Sequence, residues 1–398
     1  MIATAVAVAT WAPEPAPTPP TIAPVAPTSP PTASVAASVA APVIEVVFAI
    51  DTTGSMSGLI ESAKQKIWSI ASSMGQAQPT PTIRMGLVAY RDRGDAYVTQ
   101  VYDLTEDLDA MYLRLMEFQA EGGGDTPEAV NKALEDAIHS ITWSGNPDTY
   151  KTVFLVGDAP AHAQRSGEQP FTSTVADAVD KGIIVNTILC GENPQAAGQW
   201  ERIAHLAQGR SFDVDQNGGA LAVVTPYDEQ IAALSAELDD TRVFFGDAET
   251  LRSAERKKAA ADRVHSEAPA SSRVRRALFN ASESGRSNFV GDSRTELVDA
   301  FAKGDVDVAT IETEQLPEPM QSLAPEERVA HVQQLAEKRA GLNEKIQRLA
   351  KAREGYIREE FADREAEQKQ SLDYQIFSTV REQARTKGLE YSDELPDY

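Results

Sequence analysis

Apolar runs and amphipathic segments alternate along the chain between residues 43 and 238. The run at residues 43–51 is continuous and ends in an acid, which is typical of a central parallel strand that is covered on both faces. Residues 57–74 carry apolar side chains at helical spacing instead. Further strands are predicted at residues 82–92, 97–104, 152–158, 183–190 and 211–214, and further helices at residues 108–118, 127–141, 173–181, 196–208 and 227–238.

This alternation predicts the fold class. Strands that alternate with helices indicate an α/β fold with a doubly wound, mostly parallel sheet flanked by helices. The strand at residues 97–104 is expected at an edge of the sheet, and Pro127 is expected at the first position of its helix. Ligands of such folds bind beyond the carboxyl ends of the strands, so functional side chains are expected there.

The pattern changes beyond residue 245. A charged helix is predicted at residues 252–264 and a short helix at residues 295–303, whereas residues 268–288 contain Pro, Ser and Gly and predict no definite element. A long helix is expected to begin at Pro325, because Pro and early acidic residues suit the first turn of a helix. The last part of the chain is therefore predicted to be a helical C-terminal region.

An apolar stripe runs along this long helix. Its members recur every seven residues, at Leu335, Leu342, Leu349 and Tyr356. A stripe of about three heptads most often packs on its own chain. Self-association through residues 323–361, as in a structural assembly subunit, is the alternative.

Four segments follow from these patterns. Residues 1–42 form an apolar start and a Pro/Ala-rich disordered linker, and residues 43–245 form the α/β domain. Residues 246–322 are expected to be a mixed, partly helical connector, and residues 323–398 the helical C-terminal region. Within the first segment the only charge after residue 11 is Glu14, so that stretch cannot bury a core and is expected to be an extended spacer.

The N-terminal residues bear on the cellular compartment. Residues 1–11 are apolar and include Ala-Val-Ala, which resembles a cleavage site, but neither Lys nor Arg precedes it. The stretch is too short to span a bilayer, so no direct transmembrane span is expected. We interpret it as an incomplete or mis-started signal peptide, with export to the periplasm or cell surface. A cytoplasmic protein with an ordinary tail is the alternative.

Charge and cysteine content narrow the classes of partner. The chain of 398 residues has a formal net charge of −23, which opposes binding to nucleic acid and to anionic membranes. Hydrophobic residues make up 42% of the chain, enough for a sizeable core. The single cysteine, Cys190, excludes an internal disulfide and lies in an apolar run, which predicts a buried and inert thiol.

Three separated segments carry side chains that suit a hard cation. Asp-Thr-Thr-Gly-Ser at residues 51–55 follows the first predicted strand, and Gly-Gly-Gly-Asp-Thr-Pro-Glu at residues 122–128 precedes a predicted helix. Gly-Asp at residues 157–158 ends another apolar run. Together they offer hydroxyl and carboxylate oxygens, the ligands that Mg²⁺ requires.

The residue types suggest a role for each ligand. Thr53, Ser55 and Thr126 can give hydroxyl oxygens directly, while Asp51 and Asp158 can hold coordinated waters. Neutral direct ligands leave the cation with much of its charge, so it seeks one more anionic oxygen. A partner's Asp or Glu side chain would supply that oxygen, so the site would bind proteins through the metal ion.

The three segments resemble the von Willebrand factor type A (VWA) domain, over about half of the chain, and look like its bacterial-type branch. In that family the matching residues form a metal-ion-dependent adhesion site (MIDAS). The resemblance implies Mg²⁺, or Mn²⁺, bound by Asp51, Thr53, Ser55, Thr126 and Asp158, and a protein ligand that contributes an acidic side chain. Thr53 departs from the Ser of many members, and the sequence after Asp158 departs from their Thr-Asp-Gly.

An enzymatic reading rests on fewer features. His162 or Asp125 could serve a metal-dependent hydrolase or phosphotransferase at the same site, but a His just past a strand is more often an ordinary loop residue. The glycines at residues 122–124 lack the Lys of a phosphate-binding loop, and neither a hydrolase elbow nor a zinc-protease motif occurs. The sequence therefore favours a metal-dependent protein-binding module, tethered at the cell envelope, that is not an enzyme.

Overall fold

The computed structural model describes residues 41–124, 127–162, 167–215, 224–291, 294–361 and 371–391. Six strands form one sheet in the order β3-β2-β1-β4-β5-β6, and all neighbours are parallel except β2 and β3. The strands are β1 Val43–Asp51, β2 Thr82–Tyr90, β3 Thr99–Thr105, β4 Tyr150–Gly157, β5 Ile183–Cys190 and β6 Ser211–Val214. The doubly wound fold and the edge position of β3 are confirmed.

Thirteen helices, not counting short 3₁₀ turns, are present in the described residues. Five belong to the predicted α/β alternation: α1 Ser57–Gly75, α2 Leu108–Glu117, α3 Val130–His139, α4 Phe171–Asp180 and α5 Pro194–Leu206. Eight follow the last strand: α6 Asp228–Asp239, α7 Ala248–Glu267, α8 Ala270–Asn280, α9 Arg286–Val290, α10 Leu297–Lys303, α11 Glu318–Gln321, α12 Pro325–Phe361 and α13 Leu372–Ala384. The predicted helical C-terminal region is confirmed.

Helices cover both faces of the sheet. Helices α1, α2 and α13 pack on one face, and α3, α4 and α5 pack on the other. Strand β1 lies in the middle of the sheet, and eight of its nine residues are buried, as its continuous apolar run predicts. The carboxyl end of β1 therefore lies near the middle of the row of strand ends.

One predicted helix start is wrong, and one helix was not predicted. Helix α3 begins at Val130 rather than at Pro127, because the Glu128 amide donates to the carbonyl oxygen of Pro160 and pairs that loop in a strand-like manner. Residues 268–288, for which the sequence predicts no definite element, mostly form α8 and the start of α9. Val274 and Phe279 of α8 are buried.

The apolar stripe of α12 packs on its own chain. Val332, Leu342 and Ile346 are buried against α6, α9 and α10, and Leu349 lies partly buried beside them. Self-association through residues 323–361 stays a prediction. No helix in the described part of the chain combines the length and apolar character needed to cross a membrane.

Candidate metal centre

Asp51 is the last residue of β1 and lies at the carboxyl edge of the sheet. The register between β1 and β4 pairs Ile50 with Val156, which places Asp158 just beyond Asp51 at the same edge. Gly157 has no side chain, and a Cβ atom on it would clash with the Tyr90 hydroxyl and lie 3.1 Å from the Asp51 Cβ. The two predicted carboxylates are therefore brought together, and each repels the other.

Hydrogen bonds within the first loop orient its hydroxyl groups. The Thr53 amide donates to Asp51 Oδ1 at 2.8 Å, and the Thr53 hydroxyl donates to the same oxygen at 2.7 Å. The Thr53 and Ser55 hydroxyl oxygens lie 3.5 Å apart. Neighbouring ligands of an octahedral Mg²⁺ with bonds of about 2.1 Å are about 3 Å apart, so this spacing is close to that of a ligand pair.

The glycine loop at residues 122–124 lies against the first loop. The Gly54 amide donates to the Gly122 carbonyl oxygen at 3.2 Å. Gly123 has φ +73°, and a Cβ atom on it would lie 2.9 Å from the Thr53 Cβ. Only glycine fits this close approach without strain. Thr126, the predicted ligand of this loop, lies outside the described residues.

Arg91 fixes both loops from beneath. Its Nε donates to the Thr52 carbonyl oxygen at 3.2 Å and its Nη2 donates to the Gln119 carbonyl oxygen at 2.7 Å. The guanidinium lies 4.5 Å from the ring centre of Tyr97, whose hydroxyl is 2.7 Å from the Thr52 hydroxyl. Arg91 is not among the residues that the sequence pattern predicts for the site.

The buried carboxyl of Asp51 is held in an unfavourable environment. Burial raises the pKa of Asp51 to about 7, against the lowering effect of its two hydrogen bonds from Thr53, and repulsion from Asp158 and Asp95 adds to the rise. Its Oδ2 is buried and has no hydrogen-bond partner among the described residues. A buried oxygen without a partner costs free energy, and a cation is the ligand that would offset the cost.

Glu128 is a second buried acid at the centre, and sequence reasoning did not single it out. Its side chain is 3% exposed, and Oε2 has no hydrogen-bond partner in the described part of the chain. Burial raises the pKa of Glu128 to about 8, and repulsion from Asp51, Asp92, Asp95 and Asp158 adds to it. The carboxyl therefore lies among the acids of the centre.

Asp92, Asp95 and His162 form the next layer of side chains. The Asp95 carboxylate accepts from the Asp92 amide at 3.1 Å and, weakly, from the Gly123 amide at 3.4 Å. His162 Nε2 lies 3.1 Å from Asp92 Oδ1. The Asn131 side chain donates to the His162 carbonyl oxygen at 2.9 Å. His162 is thus a hydrogen-bonded loop residue beside the centre, as the simpler interpretation of the sequence predicts.

The donor set fits a cation held mostly by hydroxyl groups and waters. Within the described residues, no group of three or more His, Cys, Asp or Glu side chains has the geometry of a metal site. The centre instead combines two hydroxyls with the partnerless oxygen of Asp51 and with Asp158. Such a set suits a hard cation that keeps several waters.

A comparison with protein families identifies the domain that the six-stranded sheet forms. The family model described as von Willebrand factor A domain matches residues 45–214, which span β1 to β6. The chain contains a VWA domain. The predicted VWA domain is therefore confirmed, whereas the bacterial type and the metal-ion-dependent adhesion site stay predictions. The helices α6 to α13 lie outside the matched residues.

Curated relatives match a part of the chain. The rat von Willebrand factor A domain-containing protein 7 is 37% identical over 91 residues, which cover 23% of this chain and 10% of that protein. The Dictyostelium discoideum alpha-protein kinase vwkA is 28% identical over 120 residues, covering 30% and 19%. The chain thus spans less than a fifth of the length of either relative.

Solved structures give weaker likenesses. The VWA domain of SpRpn10 has a TM-score of 0.34 at 12% identity, over 46% of this chain and 99% of that chain. Proximal thread matrix protein 1 from the mussel byssus, solved with a zinc-occupied MIDAS motif, has a TM-score of 0.35 at 15% identity. That match covers 44% of this chain and 42% of that chain.

Proposed function

We propose that the VWA domain binds Mg²⁺ or Mn²⁺ and uses the bound cation to bind a protein partner through an acidic side chain. Asp51, Thr53, Ser55, Thr126 and Asp158 would hold the cation. VWA domains generally mediate protein interactions and are often metal-dependent, which agrees with the domain at residues 45–214. We further propose that the protein is not an enzyme and that residues 1–42 tether it at the cell envelope.

The observation that carries the proposal is the partnerless Oδ2 of Asp51. This oxygen is buried at the carboxyl edge of the central strand, beside a second carboxylate and two hydroxyl groups. Folding has therefore concentrated negative charge at a point where a cation would remove the repulsion. A bound divalent cation supplies positive charge and an open coordination position for an anionic oxygen.

The chain's own residues prepare the site for that role. The Thr53 hydroxyl donates a hydrogen bond to Asp51, so the lone pairs of its oxygen remain available to a cation. Arg91 and Gly123 keep the two loops in contact, so the donors are positioned before anything binds. Such preorganisation lowers the entropy cost of binding.

Titration calorimetry with Mg²⁺ alone on the full chain tests the metal. We expect saturable binding at millimolar concentration or below, and its loss in Asp51→Asn, which keeps the shape of the side chain but removes the charge. Asp148→Asn is the matched control, because Asp148 is exposed and lies just before the amino end of β4, away from the site at its carboxyl end. Wild-type affinity in the Asp51 variant would contradict the proposal.

Affinity capture tests the partner. Proteins retained by the immobilised chain in Mg²⁺ should be released by EDTA and should not be retained by Asp51→Asn. Replacing the acidic residues of a retained partner one at a time should abolish its binding at a single position. Retention that is unchanged by EDTA would show that binding does not pass through the cation.

A further inference from the structure

We propose that a groove between α13 and the start of β6 binds a small anionic molecule, whose carboxylate or phosphate group contacts arginine side chains and whose apolar part packs on aromatic rings. The inference does not depend on the proposed function, because the groove lies apart from the metal centre. Strand β6 is three strands away from β1 in the sheet, which corresponds to about 14 Å. Arg210, the residue before β6, lies level with the middle of β5 rather than with its carboxyl end.

The groove has the size and the preformed surface of a small-molecule site. Its volume is about 310 Å³, near the lower end of the range of about 300–1,000 Å³ that is usual for such sites. Tyr374 and Phe377 of α13 line it. The Phe377 ring is buried and packs edge-on against Tyr391 at a centroid distance of 5.7 Å, so it is held in place before a ligand binds. Such a rigid aromatic surface loses little entropy when a ligand binds.

The charge of the groove is opposite to that of the chain. Three arginines line it, Arg210, Arg381 and Arg385, together with one acid, Glu382. Cations therefore exceed acids by two (three minus one), in a chain whose formal net charge is −23. Glu382 pairs with Arg210 at 2.7 Å. The exposed Arg385 side chain has no ion-pair partner among the described residues, so it is available to an anion.

The end of a helix explains only part of this cluster. Arg381 and Arg385 lie at the carboxyl end of α13, where positive charge is favourable next to the helix dipole. Arg210 belongs to a different element, yet it reaches the same groove. A guanidinium group matches the geometry of a carboxylate or a phosphate through two parallel hydrogen bonds. An oxyanion bound here would also remove the repulsion between the arginines.

Calorimetry on the full chain with two pairs of titrants tests the site. Phenyl phosphate and phenylacetate carry the same ring on different oxyanions, and inorganic phosphate and acetate are their ring-free counterparts. All titrations contain EDTA, so that no divalent cation can bind the oxyanion at the metal centre. We expect saturable binding of at least one ring-bearing probe at millimolar concentration or below, and about fivefold weaker binding of its ring-free counterpart. The probe that binds identifies the oxyanion. Failure of both ring-bearing probes to bind, or equal affinity with and without the ring, would overturn the inference.

Two substitutions with opposite expected effects locate the binding. Arg385→Gln removes a guanidinium group, so the affinity for the bound probe should fall about tenfold. Glu382→Gln releases Arg210 from its ion pair, so the affinity should rise about threefold. Both side chains are exposed, so both variants should unfold at the wild-type temperature.

Arg252→Gln on α7 is the matched control. It removes the same charge from a side chain that is 59% exposed and does not line the groove, so the affinity should stay within about twofold of wild type. Equal affinity of Arg385→Gln and wild type would overturn the inference. An equal fall in Arg385→Gln and Arg252→Gln would overturn it as well, because the probe would then respond to the overall charge of the chain. Both results would leave the proposed function standing.

Discussion

Two adjacent glycines of the second loop have different surroundings. Gly123 has φ +73° and faces Thr53, where a Cβ atom would come within 2.9 Å of the Thr53 Cβ. Among the described residues, no atom lies within 4 Å of the place where a Gly124 Cβ would be. The close approach at Gly123 is what holds Thr53 in the position from which its hydroxyl donates to Asp51.

We expect Gly123→Ala to weaken both folding and metal binding. The left-handed backbone costs an L-residue about 1–2 kcal/mol, and the added methyl group pushes on Thr53. Urea unfolding should show the stability loss, and Mg²⁺ calorimetry should show reduced affinity.

Gly124→Ala provides the comparison for that variant. It adds the same methyl group one residue later, where no atom of the described residues lies within 4 Å, so its stability should stay within about 0.5 kcal/mol of wild type. Equal effects of the two substitutions would show that the contact with Thr53 does not matter.

At the residue scale, the sequence predicts part of the centre. Asp51 and Asp158 are predictable because each ends or follows an apolar run, and parallel strands bring such ends to one edge. Glu128 and Arg91 were not predicted, because their roles depend on side-chain direction and on contacts across 28 to 39 residues of chain. Sequence spacing does not encode such contacts.

At the element scale, α13, the last helix of the described chain, packs against the sheet. It packs against α1, and the side chain of Gln383 reaches the strands. Gln383 Oε1 accepts from the Tyr150 hydroxyl at 2.7 Å, and Gln383 exchanges hydrogen bonds with the Asn186 amide in both directions. A polar side chain thus joins this helix to the buried face of β4 and β5.

Gln383→Ala should destabilise the protein by about 1–3 kcal/mol, since it leaves the buried Tyr150 hydroxyl without this acceptor. Urea unfolding measures the loss. Glu382→Ala is the control on the same helix. Glu382 forms an ion pair with Arg210, and the two side chains are 58% and 52% exposed, respectively. Loss of this pair should change stability by less than about 1 kcal/mol. A similar loss in both variants would mean that the helix contributes through packing alone.

The elements whose limits the sequence missed share a physical cause. The start of α3 is displaced to Val130 by a backbone bond to Pro160, about 30 residues away. Helix α8 was missed because the charged Arg275 and Arg276 occupy buried positions, which hides the apolar spacing of a buried helix. In both cases contacts with distant residues decide the element, whereas the long apolar strands were predicted because burial alone decides them.

At the scale of the whole molecule, buried ion pairs join the VWA domain to the helices that follow it. Arg276 of α8 pairs with Asp109 of α2 at 2.6 Å and with Asp239 of α6 at 2.7 Å. Arg242 and His265 also contact Asp239, at 3.1 Å and 2.6 Å. Removing one partner of such a network leaves a buried charge unpaired, which typically costs about 3–5 kcal/mol.

This network should make the protein sensitive to acid. Burial alone would raise the pKa of Asp239, but Arg276 and Arg242 hold it well below its usual value. A carboxyl whose pKa is lower in the folded state adds stability that is fully present above its unfolded pKa of about 4 and is lost as pH falls through the folded pKa. Wild type should therefore be more stable than Asp239→Asn at pH 6, and the gap should shrink between pH 4 and pH 2.5. Urea unfolding across that range measures it. Asp180→Asn, at an exposed position of α4, is the control and should leave the pH dependence of the unfolding free energy unchanged. If the stability difference between wild type and Asp239→Asn were constant with pH, Asp239 would not be held ionised by its arginines.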